Sequence, residues 1–132
     1  MSGGETDRNA LLRNLEPRLG AEELVYCTVG QADFRRLELD PVCTFREAEG
    51  ITLIVTRADA ERCKLASSYP CRMITLTVHS SLDAVGVLAA VASKLAQEGI
   101  SVNVVSAYYH DHLFVPAEAA ERALAAIREL QA

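Results

Sequence analysis

Apolar Ile74, Leu76 and Val78 alternate with Thr75, Thr77 and His79. A period of two puts successive side chains on opposite faces, so this stretch predicts a strand with one buried side. The period then changes. Leu82, Val85, Leu88, Ala92 and Leu95 recur at three- and four-residue steps, the spacing of a single helical stripe. Ser80 or Ser81 supplies the N-cap of that helix. Gly99 followed by Ile100 has the form of a Schellman stop, with Ile100 packing back on Leu95. Residues 101–107, carrying Val102, Val104 and Val105, and residues 111–115 predict two more strands. Pro116 closes the second and opens a last helix with the stripe Ala120, Ala123, Leu124, Ile127 and Leu130.

The first half is less regular. Residues 8–15 predict a short helix with Leu11, Leu12 and Leu15 on one face and Thr6 or Asp7 as cap, stopped by Pro17 and Gly20. Residues 23–29 read as a strand, and residues 31–41 as a loop or a short helical turn. Residues 43–47 and 51–56 flank Glu49-Gly50, a hairpin signal. Thr56 with Asp59 has the spacing of a capping box and predicts a short helix to about Leu65. Tyr69-Pro70 is expected to break the chain between two halves.

These orders, α-β-turn-β-β-α and then β-α-β-β-α, predict an α+β sandwich with an antiparallel sheet and helices on one face. A repeated ferredoxin-like βαββαβ unit accounts for both halves, although two full units need about eight strands and roughly six are legible. One half is then incomplete or borrows a strand. The expected division is a tail and short helix over residues 1–19, a first unit over 20–70 and a second over 71–132.

Composition narrows the function. Half of the 132 residues are apolar and 23% are charged, the balance of a globular domain. No apolar run reaches membrane-spanning length, and residues 1–9 lack the apolar core of a secretory leader. Cys27, Cys43, Cys63 and Cys71 show no C-x-x-C spacing and read as reduced thiols, so a cytoplasmic location is expected. The net charge is −5, and Arg35-Arg36 is the densest basic run. Neither nucleic acid nor a membrane is an expected partner.

The stretch HSSLDAVGVLAAVASKLAQEGISVNVVSAYYHDHLFVP, residues 79–116, resembles the ACT domain, the regulatory module of aspartate kinases and of small stand-alone bacterial proteins that carry two such units. The apolar helix ending in EGIS-N and the run YYHDHLFVP carry the resemblance, which is strong over residues 71–132 and extends to residues 20–66. It implies two ferredoxin-like ACT units in tandem, a homodimer, and a free amino acid or related metabolite held between neighbouring units. It implies no catalysis, and any regulated enzyme partner is unidentified. By resemblance the ligand segments are Ser81, Leu82, Asp83, Ala84, Val85 and Gly86 on one side, and Ile100, Ser101 and Asn103 on the other.

The chemistry of an amino acid suits those residues. Its carboxylate takes the free N–H groups and positive dipole end of a helix N-terminus, and Gly86 has no side chain to shield that turn. Its ammonium takes Asp83, the Asn103 side-chain oxygen, or strand carbonyls over residues 100–104. The bland roles are a dipole-compensating Asp83, a packing Gly86 and plain caps at Ser80 and Ser81. His110-Asp111-His112 places two imidazoles on one strand face, as a zinc site does, but reads better as a polar turn, so no metal is expected. No P-loop, G-x-G-x-x-G or nucleophile signature occurs, so no cofactor and no enzymatic activity are expected.

Overall fold

Residues 8–77 and 86–131 are described in the computed structural model. Their elements run α1 (Arg8–Arg13), β1 (Pro17–Leu19), β2 (Leu24–Val29), α2 (Gln31–Phe34), β3 (Cys43–Arg46), β4 (Ile51–Thr56) and α3 (Arg57–Arg62). Then follow β5 (Ser68–Leu76), α4 (Val87–Gln97), β6 (Asn103–Ser106), β7 (Asp111–Pro116), a 3-10 turn (Ala117–Ala119) and α5 (Ala120–Glu129). The chain divides into two compact units, Glu22–Cys71 and a second formed by Met1–Ala21 with Arg72–Ala132.

The first unit is built from β2, α2, β3, β4, α3 and the start of β5, which is βαββαβ with strand order β3-β4-β2-β5. Its helix-side core is Val25, Cys27, Ile51, Leu53 and Val55 under Ala60 of α3, with Phe34 of α2 packed against it. The capping spacing holds: the Thr56 hydroxyl accepts the Asp59 N–H at 3.1 Å. Helix α3 stops at Arg62, short of Leu65. Lys64 turns left-handed at φ 56, the Lys64 N–H donates to Glu61 O and the Leu65 N–H to Ala60 O. That is a Schellman stop with lysine at the position glycine usually holds.

Tyr69-Pro70 does not break the chain. Leu24 pairs with Cys71 and Tyr26 with Ser68, so β5 carries an extra residue opposite Val25. Pro70 has no N–H for the ladder, and a bulge lets the strand pass it. Tyr69 sits at φ 55 in this bulge, its ring meeting Tyr26 edge-on at 5.6 Å.

The second unit has β5, α4, β6, β7 and α5 in sequence order, which leaves it one strand short. Residues 17–19, expected as part of a tail, supply that strand. Pro17 pairs with Leu76, Arg18 with Thr75 and Leu19 with Ile74, giving the order β1-β5-β7-β6. The missing-strand count is thus resolved by β5 serving both units and β1 closing the second. Pro17 ends one element and begins another because a strand's first residue needs no ladder N–H.

Sequence period explains the core here. Ile74, Leu76, Leu113 and Val115 face Val91 and Leu95 of α4 and Ala123 and Ile127 of α5. Leu15, fully buried, joins them from the link between α1 and β1. Arg72 ties down the other end of β1, its guanidinium donating twice to Gly20 O at 2.7 and 2.9 Å and pairing with Glu121 at 3.6 Å. Helix α4 ends in the expected stop: Gly99 lies at φ 73, its N–H donates to Ala96 O, and the Ile100 N–H donates to Leu95 O at 2.9 Å.

Candidate ligand-binding site

The helix expected to start near Leu82 begins, in the described residues, at Val87. Gly86 holds φ 91, a left-handed conformation that a helix interior does not contain and that glycine adopts without steric cost. Its carbonyl accepts the Ala90 N–H at 3.0 Å, the first bond of α4. Gly86 is therefore the residue at which the helix opens, and the free amides follow it. Ser81, Leu82, Asp83, Ala84 and Val85 lie outside the described residues.

The second predicted segment lies at the other end of α4. Ile100 is buried in the same core cluster as Leu95, so its side chain is not available to a ligand. Ser101 and Asn103 are exposed, and Asn103 starts β6 opposite Phe114. Helix α4 has 11 residues, which separates its two ends by about 16 Å. Gly86 stands at the start of α4, whereas Ser101 and Asn103 follow its end.

A surface groove of about 400 Å³ runs beside α4, lined by Gly86, Ala89, Ala90, Ser93, Lys94 and Leu130 among others. Its small side chains leave the space, and Lys94 supplies the charge. The Lys94 ammonium lies 2.7 Å from Glu129 and 3.8 Å from Glu98. The hydrogen bond to Glu129 raises its pKa above the usual lysine value. Lys94 was absent from the sequence-derived site. Its signal was the Lys94–Glu98 spacing of i, i+4, which reads as an ordinary helix-surface pair.

The histidine pair sits on β7 and the turn before it. The rings of His110 and His112 lie 6.4 Å apart, and Nδ1 of His112 is 2.9 Å from the Thr75 hydroxyl. Burial, then the neighbouring His110, lowers the His112 pKa, while Asp111 opposes the shift. Among the described residues no three His, Cys, Asp or Glu side chains are grouped to hold a metal ion. His79 lies outside them. Two cysteines are buried thiols. Burial raises Cys27, and it drives Cys71 to about 11, with a smaller push from Glu23.

Two family models, both described as ACT domain, match the chain over residues 3–72 and 68–129. The chain belongs to the ACT-domain family. Its fold recurs in solved structures. A Vibrio cholerae protein of unknown function, designated a possible transport protein, is 47% identical over 94% of this chain and 95% of its own, with a TM-score of 0.83. An Agobacterium tumefaciens protein matches at 15% identity and a TM-score of 0.69, over 87% of each chain. The regulatory subunit of aspartate kinase from Thermus flavus matches at 14% identity and a TM-score of 0.64, over 86% of this chain and 95% of that one. The last two share the fold. No curated protein matches. Among the described residues of this ACT-domain chain, no helix is long and apolar enough to cross a membrane.

Proposed function

We propose that this ACT-domain protein is a non-catalytic regulator that binds a free amino acid or a related small metabolite and passes that state to a partner. The reading places it in the cytoplasm as a homodimer. The observation that carries it is the tandem match of two ACT models over residues 3–72 and 68–129. The same fold in an aspartate kinase regulatory subunit supports the regulatory role. The thiol chemistry also fits a binding protein: Cys27 and Cys71 are held protonated by burial, which suits packing rather than attack.

Assembly enters through geometry. Gly86 and Asn103 occupy opposite ends of α4, so a ligand touching both lies between copies, with Gly86 from one and Asn103 from the other. The carboxylate then takes the amides after Gly86, and the Asn103 side chain takes the ammonium. Ligand binding and dimer stability become one equilibrium, shifted only by the difference in affinity between the two states.

Thermal melting of the full chain against the twenty amino acids tests this. A ligand at about 100 times its Kd adds about 2.7 kcal/mol, a shift of several degrees. Asn103→Ala removes that shift and leaves the unliganded melting point in place. A second reading, assembly without any ligand, is favoured by Phe45 of β3, which is 67% exposed on a strand edge. A flat amino-acid panel together with a concentration-dependent dimer overturns the sensor and establishes that alternative.

A further inference from the structure

The hairpin ladder of the first unit pairs Arg46 with Ile51 and Thr44 with Leu53. Ile51 and Leu53 belong to the helix-side core, and directly paired residues share a face of the sheet. Arg46 and Thr44 therefore stand on the helix side of β3. Helix α2 borders the same space with Gln31, Phe34 and Arg35, which are three and four residues apart and so share one side of the helix. These side chains and Ile51 line a groove of about 320 Å³.

The charges of this groove are uncompensated. Elsewhere in the unit Arg57 pairs with Glu23 at 2.9 Å and Arg62 with Asp59 at 3.2 Å. Arg35 and Arg46 make no ion pair among the described residues. The nearest acid in sequence to Arg46 is Glu47, and it is engaged elsewhere: the Thr52 hydroxyl donates to its carboxylate at 2.5 Å. Thr52 alternates with Ile51 and Leu53 along β4, so it belongs to the face away from the groove. Asp33 lies two residues before Arg35, off the side of α2 that lines the space. Two free guanidiniums thus share one concave site in a chain whose net charge is −5.

We propose that this groove is a binding site for a small organic anion, a carboxylate or phosphate carried on a short apolar body. The two guanidiniums hold the anion through charge-assisted hydrogen bonds. Gln31 and Thr44 add neutral hydrogen bonds, and Phe34 with Ile51 packs the body. The site belongs to the first unit, whereas Gly86 and Asn103 belong to the second, so it acts independently of the amino-acid reading.

Calorimetric titration of the full chain with succinate and with inorganic phosphate tests the proposal. Saturable binding of either anion is expected, and which of the two binds tells a carboxylate site from a phosphate site. Arg35→Gln and Arg46→Gln each weaken that binding about tenfold or more, the effect of losing one charge-assisted bond. Arg57→Gln, which removes an arginine already paired with Glu23, leaves it unchanged, and all three variants keep the wild-type far-ultraviolet dichroism. Absence of saturable heat with both anions up to ~10 mM, a range that covers millimolar affinity, overturns the proposal. So does binding that both groove variants leave intact.

Discussion

The two units reach the same βαββαβ arrangement with unequal means. The first takes all its strands from one stretch of chain, but its helices α2 and α3 have only 4 and 6 residues. The second carries helices of 11 and 10 residues and a larger buried core, yet its sheet closes only with a strand from the N-terminus. Continuity and core size thus trade places. Where the strand is covalently at hand, short helices suffice. Where the strand must come from elsewhere, long amphipathic helices supply the burial that holds it.

The sharpest way to break that comparison is Leu15→Ala. Leu15 is fully buried in the second unit's core, and truncating such a side chain costs about 2–5 kcal/mol. Urea denaturation followed by amide exchange should show the loss in α4, α5 and β1, with β2 and β4 keeping their protection. Equal loss in both units would mean that they unfold as one body.

A smaller effect is expected at the helix stops. Both units use the Schellman motif, with Gly99 at φ 73 in one and Lys64 at φ 56 in the other. A non-glycine residue in that conformation costs about 1–2 kcal/mol. Lys64→Gly should therefore raise the stability by less than about 1 kcal/mol once the added freedom of the unfolded glycine is set against it, read as a higher melting midpoint.

The smallest effect concerns pH. His112 has a folded-state pKa below its ordinary 6.5, chiefly through burial. The unfolded chain binds that proton first, so the contribution is complete above pH 6.5 and is lost as pH falls through the folded value. His112→Gln should flatten the decline in melting temperature on acidification, while changes in the first unit should leave it untouched.

Most of the second unit was legible because its periods are clean. Alternation at Ile74 and Leu76 and the Gly99-Ile100 stop each name one structure and have few competitors, whereas the expected helical stripe is turned: of Leu88, Ala92 and Leu95 only Leu95 is fully inside, and the buried face of α4 is Val87, Val91 and Leu95. The misreadings occur where a residue type has two uses. Pro17 signals a helix end, and it also tolerates the first position of a strand. Tyr69-Pro70 resembles a break, although a bulge carries the strand across it. Gly86 fits a helix interior open to a ligand equally well on sequence, and only its φ of 91 shows a helix start. The arginine groove had no local signature at all. Arg35 and Arg46 stand eleven positions apart, and only the pairing of β3 with β4 sets Arg46 beside α2.

The closing strand has a consequence for biosynthesis. Residues 17–19 leave the ribosome before almost everything they will pair with, and N-terminal domains generally fold first as synthesis proceeds. The first unit can complete itself once Cys71 has emerged. The second must keep its edge strand waiting until the C-terminal helix is made, and the folded stretch in between shortens the effective loop that has to close. The strand that closes the second unit is made before every other strand of that unit.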